Sequence, residues 1–380
     1  MLLDKQKEIT YNNAMKKNIK SWVILSFCFL LIIVSIICFI QSRSESTTQS
    51  ITLTEIGFDT SITLQADCTD EEFSKYVKIL KKTFKDNNKR FDQYHSYKGI
   101  NNIYTINAEA AIHPVKVDNI TLQCIKNAMK INQTCSKFDI SYGSVMNIWH
   151  TYREEGITLN NEGKDGNLPS DEEIENALQH CGMDKIQING NEISFTDSET
   201  KIDLGGIAKG YTTQLAKKKL NKAGLTNGFI NAGGNVVLLG EKSDGSSWKI
   251  GIQNPDTSDS LLSIEVKDSN QSIVTSGDYQ RYYTVDNKKY AHIIDPDTGY
   301  PANQCRSVTI ITKDSTKADG LSTALFCLDF DQAYKLAKSQ NVEAVWIYDK
   351  DNAPNKKADF ETKKYKIYTT KNIKKQIELN

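Results

Sequence analysis

The forty residues from Lys201 to Gly240, KIDLGGIAKGYTTQLAKKKLNKAGLTNGFINAGGNVVLLG, constrain the fold more than any other stretch. They read as a strand, a glycine turn, a helix and a second strand that ends in another glycine turn. Without a Cβ at Gly205, Gly206 and Gly210, the backbone can approach a ligand at a helix start, where free N–H groups and the dipole favour a phosphate. Lys209 would supply the counter-charge. Glycine turns alone favour the plainer reading, a tight strand-to-helix connection with nothing bound. Two familiar phosphate motifs are excluded. A P-loop needs Lys-Ser/Thr after its last glycine, whereas Tyr211 and Thr212 follow Gly210, and the GxGxxG spacing is not matched.

Two more segments carry chemistry. In Ile273 to Pro301 a strand pair around Asp286-Asn287 delivers His292 and Asp295 just before the turn Pro296 to Gly299. A lone histidine is more often structural, but this one is predicted to share an exposed polar cluster with Asp295 and Arg281. Only five of the 47 basic residues are arginine, so Arg281 reads as a phosphate fork or, equally, as one half of a surface ion pair. Lys317 to Phe326 opens a helix with Asp319 and Thr323 at i and i+4, on one face. Such oxygen donors suit a hard ion such as Mg2+, which keeps waters and shares substrate phosphates. Taken alone, Asp319 is an acid at a helix start, favoured by the dipole.

Around these segments the chain alternates between two periodicities. Ser61 to Leu64, Lys185 to Ile188 before Asn189-Gly190, Trp248 to Gln253, Leu261 to Val266 and Ser307 to Thr312 read as strands. Helices are predicted at Glu71 to Lys85, Thr121 to Thr134 and Asp171 to Cys181, the last with a Ser170/Glu173 capping box. Two more follow Gly206 and Thr316. No fixed-period repeat appears, so residues 51–380 are predicted to form one α+β domain of mixed and antiparallel sheets with packed helices. The Lys-rich end after Asn355 reads as a solvated edge. Lys+Arg and Asp+Glu both number 47, so no charge excess draws the chain to nucleic acid.

The N-terminus differs. Trp22 to Ile40 carries no charge and, at 1.5 Å per residue, reaches about the 30 Å of a bilayer core. Lys5, Lys7, Lys16, Lys17 and Lys20 precede it, and only Arg43 and Glu45 follow closely. That bias predicts a cytoplasmic segment 1–21, one transmembrane helix over 22–40 and an extracytoplasmic remainder. A cleaved signal peptide is the alternative, although no small-x-small pattern precedes Ser42. Residues 41–50, QSRSESTTQS, read as a polar tether, with the folded part starting near Ile51. Beyond the apolar span, Cys68, Cys124, Cys135, Cys181, Cys305 and Cys327 lack zinc-ligand spacing and read as mostly buried small apolar residues.

Seven pieces stand in order: FDTSITL at Phe58, SKFDISYGSVMNIW at Ser136, KIDLGGIAKGY at Lys201, NAGGN at Asn231, TSGDYQRYY at Thr275, HIIDPDTGYP at His292 and ADGLSTALF at Ala318. With them, Phe58 to Tyr348 resembles the ApbE family, the FAD:protein FMN transferases. The resemblance implies an α+β domain that binds FAD in an extended cleft. It further implies Mg2+-dependent transfer of the FMN moiety to a Thr or Ser hydroxyl of another exported protein, with release of AMP. Carried over by position, Phe58, Tyr94, Phe138, Asp139, Asp203, Lys209 and Ile293 would line the FAD cleft. The Gly206 carbonyl and the Asp319 and Thr323 side chains would hold the metal. Some relatives carry an acid where Ser322 stands, which weighs against a second fully ligated ion. His150 stands where the family often has glycine, a change in the loop after Trp149 that touches no assigned ligand.

On this reading His292 positions or deprotonates the acceptor hydroxyl and Lys209 neutralises phosphate oxygens. Two rivals keep the same cleft: a FAD pyrophosphatase, in which water replaces the protein hydroxyl, and a FAD-binding protein without catalysis.

Overall fold

Apolar runs late in the chain are buried on both sides, and this sets the architecture. In the strands Ser272–Gly277, Ser307–Thr312 and Glu343–Asp349, neighbouring residues enter different cores. Val274, Val308, Ile310 and Trp346 enter one; Ile273, Ile311, Val345 and Ile347 enter the other. A sheet patterned in this way needs cover on each face.

The structure, a computed structural model that describes Ile32 and residues 47–380, provides that cover. Nine strands form the central sheet, in the order Thr47–Leu53, Ile62–Cys68, Gly228–Ala232, Asn235–Leu238, Ser272–Gly277, Ser307–Thr312, Glu343–Asp349, Tyr365–Thr369 and Phe360–Glu361. Its pairings from Ile62 onward are antiparallel, with Val274 opposite Ile310 and Ile310 opposite Ala344.

Eight α-helices lie among the described residues: α1 (Asp70–Phe91), α2 (Ile103–Glu109), α3 (Asn119–Thr134), α4 (Gly143–Asn161), α5 (Asp171–Leu178), α6 (Ala208–Lys222), α7 (Ser315–Phe326) and α8 (Phe330–Ser339). The largest core joins α2, α3, α6, α7 and α8 to one face of the sheet. A three-stranded sheet, Trp248–Gln253, Ser260–Val266 and Ile377–Leu379, covers the other face through Trp248, Ile252, Leu262 and Ile264. A satellite core gathers α4, α5 and the hairpin Tyr282–Val285/Lys288–Ala291 around Trp149 and Tyr283.

Local signals explain several boundaries. The Ser170/Glu173 capping box forms as predicted, and Thr69 with Glu72 makes a second one at the start of α1. Two expectations need correction. A strand already begins at Thr47, so the end of the segment read as a tether joins the sheet edge, where Thr48 Oγ1 donates to Asp67 Oδ1 at 2.6 Å. The Lys-rich end is also more than a solvated edge, because Tyr365, Ile367 and Tyr368 are buried in a sheet strand while Lys363 and Lys364 stay exposed.

The six cysteines of the described residues are unpaired, with Cys68, Cys124, Cys305 and Cys327 buried and Cys135 and Cys181 half-buried. Residues 48–380 form one compact unit. No helix among the described residues is long and apolar enough to cross a membrane, and the span Trp22 to Ile40, Ile32 apart, lies outside the described residues.

Candidate active site

The floor of the site is built by the absence of a side chain. A Cβ on Gly210 would lie 2.3 Å from the Ser315 carbonyl oxygen and 2.4 Å from Asp319 Cβ, so only glycine lets α6 pack this closely on α7. This corrects the reading of Gly210 as a ligand-facing glycine. Its N–H instead donates to Asp319 Oδ2 at 2.7 Å. Asp319 is 4% exposed and lies one turn inside α7, whose N-cap is Asp314, so it is not an acid at a helix start. Burial raises its pKa against the pull of Lys209, the Gly210 N–H and the neighbouring Asn235 amide. One turn further on, Thr323 Oγ1 donates to the Asp319 carbonyl at 3.3 Å. Gly206 closes the group: a Cβ there would come within 3.0 Å of Phe138 Cε2 and 3.3 Å of Thr323 Oγ1.

Every residue proposed for the site, from Phe58 to Thr323, borders one cavity of about 960 Å³. Phe138 and Ile293 are buried apolar walls. Asp139 turns back on its own chain, where its Oδ1 accepts from Ser141 N at 2.7 Å and Ser141 Oγ at 2.6 Å. Asp203 accepts from Gln93 Nε2 and the Gly205 N–H. Lys209 Nζ makes no hydrogen bond or ion pair within the described residues, yet its charge lowers the pKa of both Asp319 and His292.

The hairpin turn predicted at Asp286-Asn287 forms with both residues at positive φ, 49° and 60°. It brings His292 back beside Arg281. The His292 N–H donates to the Arg281 carbonyl at 3.0 Å, and His292 Nδ1 lies 3.3 Å from the same oxygen. A proton on Nδ1 satisfies that contact and leaves the Nε2 lone pair free. Burial, with Lys209, Arg281 and Arg153 adding to it, pushes the imidazole pKa down to about 3.

The predicted cluster with Asp295 does not form. Asp295 Oδ1 pairs with Lys137 Nζ at 2.5 Å and accepts the Asp297 N–H at 3.0 Å. Arg281, on the wall of the same cavity, makes no ion pair among the described residues; its NH2 group donates to the Phe58 and Asp59 carbonyls at 3.2 and 3.0 Å.

His150 was placed in a loop away from the assigned residues. It lies instead within α4, its ring tilted by 32° against Tyr94 with centroids 4.7 Å apart, and Tyr94 is 46% exposed on the cleft wall. Sequence reasoning misses Arg153, whose NH2 group meets His150 Nδ1 at 2.8 Å. Its signal was its rarity and its i+3 spacing from His150.

The donors around Gly206 comprise one carboxylate, one hydroxyl and one carbonyl. No group of three His, Cys, Asp or Glu side chains able to hold a metal exists among the described residues. Such a sparse oxygen set fits a hard cation that keeps waters and shares phosphate oxygens, and does not fit a soft ion.

The ApbE family profile matches residues 56–346. The FAD:protein FMN transferase of Vibrio cholerae serotype O1 is 29% identical over 263 residues, 69% of this chain and 76% of its own length. That of Buchnera aphidicola subsp. Schizaphis graminum is 32% identical over 242 residues, 62% and 68% of the two chains. The crystal structure of the ApbE protein from Thermotoga maritima superposes with a TM-score of 0.68 at 31% identity, over 78% of this chain and 94% of that one. Profile, relatives and solved fold all fall on the domain that carries the cleft, and the chain belongs to the ApbE family.

Proposed function

We propose that the cleft binds FAD and transfers its FMN moiety to a Thr or Ser hydroxyl of an exported acceptor protein, releasing AMP. As a member of the ApbE family the chain is a flavin transferase. What supports the finer reading is the meeting, in one cavity, of a buried carboxylate, a cation without an ion-pair partner among the described residues and a neutral imidazole beside aromatic walls.

In this reading the acceptor oxygen attacks the riboflavin-side phosphorus. A new P–O bond forms, the bond from that phosphorus to the bridging oxygen breaks, and the bridging oxygen leaves with AMP. His292 Nε2 takes the hydroxyl proton, and Lys209 offsets charge on the phosphate oxygens. Burial is the larger cause of the depressed imidazole, and a pyrophosphate beside Lys209, Arg281 and Arg153 would offset the smaller part that these cations add. Phe138 and Ile293 offer buried apolar surface, and Tyr94 an aromatic face, to the rings of the substrate. The Gly206 carbonyl, Asp319 and Thr323 would hold Mg2+, whose chemistry when bound is to neutralise charge on the pyrophosphate.

Incubation with FAD, Mg2+ and a candidate acceptor, followed by a denaturing gel, tests the reading. Flavin fluorescence on the acceptor band means transfer, free FMN without that band means hydrolysis, and unchanged FAD means binding alone. The lysines before Trp22 to Ile40 support a membrane-anchored protein with its domain outside the cytoplasm. Protease added to intact cells should then cut beyond Ser50, and full protection would refute that orientation.

A further inference from the structure

We infer that Arg281 is a positioning residue: its side chain straps the Phe58-Asp59 corner of the cleft into a backbone conformation that the corner does not favour by itself. The inference rests on the reading of the cleft as a FAD site. Phe58 and Asp59 are consecutive non-glycine residues with φ of 63° and 46°. A side chain with a Cβ is strained in this left-handed region, an aromatic one more than an aspartate, and such strain persists only where the surroundings over-determine it.

Those surroundings are specific. Gly57, at φ 112°, is pressed against Asn88, where a Cβ would lie 2.4 Å from the Asn88 Cβ. Asn88 Oδ1 accepts the Phe58 N–H at 2.7 Å. The Phe58 ring is wedged edge-on against Phe84, with centroids 5.9 Å apart, and lies 6.5 Å from Phe91. This fixes the start of the corner. The carbonyls of Phe58 and Asp59 remain, and one nitrogen of Arg281 takes both, from 223 and 222 residues away in sequence.

The same residue's carbonyl accepts the His292 N–H. Arg281 therefore ties a wall of the cleft to the imidazole through two different parts of one residue. An arginine waiting for a phosphate would be expected to leave its guanidinium free of backbone partners in the cleft. Here the group already closes a strained turn.

A double-mutant cycle on FAD affinity, measured by titration of flavin fluorescence, separates strap from ligand contact. Arg281→Ala is expected to weaken FAD binding roughly tenfold, because the corner relaxes. In the Asp59→Gly background, where glycine reaches positive φ without strain, the same substitution should cost less than roughly threefold. An equal penalty in both backgrounds would overturn the strap and make Arg281 a direct contact of the ligand. The melting temperatures of the four proteins without FAD should show the same coupling, and additive shifts there would also overturn it. Wild-type protein that does not bind FAD would refute the reading of the cleft instead, while the melting temperatures still decide the strap.

Discussion

Two cavities of similar volume open on this domain, about 960 and 940 Å³, and they differ in what their charges already hold. In the second, Arg306 is 12% exposed and meets Asp256 at 3.2 Å, Asp278 at 2.7 Å and Asp349 at 3.1 Å. Lys364 and Tyr365 satisfy Asp256 further. There the protein is its own ligand. In the first, Lys209 makes no ion pair within the described residues, the Asp319 carboxylate takes one N–H, and His292 rests on one carbonyl. Volume therefore does not separate the two cavities; what separates them is that Arg306 of the second is paired with three carboxylates, whereas Lys209 of the first makes no ion pair among the described residues.

The contrast can be broken at either cavity. Arg306→Met should be the most damaging to the fold, because it leaves Asp278 and Asp349 without their cation and Asp256 with Lys364 alone; a loss of about 3 kcal/mol is expected. FAD affinity of the folded fraction should not move. A variant that melts with wild type would mean that the second cavity is not charge-saturated after all.

His292→Ala acts at the other cavity. Transfer should fall at least roughly 100-fold while FAD is still bound, as for loss of a general base. A wild-type rate would remove His292 from the chemistry. The sign of its pH dependence follows from its depressed pKa. Between pH 6.5 and about 3 the unfolded chain protonates this histidine and the folded one does not, so His292 costs the fold stability as pH falls. His292→Gln should accordingly gain stability relative to wild type on acidification through that window, and parallel pH profiles would contradict the neutral, half-buried imidazole.

Gly210→Ala sharpens the account of the floor. The added Cβ meets the Ser315 carbonyl and Asp319 Cβ, so about 2 kcal/mol of destabilisation is expected, with slower transfer as Asp319 shifts. An alanine variant with native melting and native rate would show that α6 and α7 can separate without consequence.

Asp319 and Thr323 were legible because their spacing of four meets on one helix face, and His292 because a two-residue turn with positive φ returned its strand to Arg281. What stayed hidden depended on distant partners. A glycine that packs helices and a glycine that borders a cavity look alike until the second helix is placed, which is why Gly210 was misread. Asp295 is three residues from His292, yet Lys137 takes it from 158 positions away. The helix α4 has its buried residues, Gly143, Val145, Trp149 and Gly156, widely spaced among polar ones, so no apolar stripe announced it or carried His150 to Tyr94. The strand at Thr47–Leu53 is mostly polar because it lies at a sheet edge, where only part of it is covered.

The rate of FMN transfer against Mg2+ concentration, measured for wild type and Asp319→Asn, tests most directly whether the buried carboxylate of the first cavity serves the reaction. The substitution keeps the shape of the side chain and removes its charge. Weaker ion binding should move the variant's curve to at least roughly tenfold higher Mg2+, with a steep loss of rate where the ion is limiting. Superimposable curves from a folded Asp319→Asn protein would contradict the assignment.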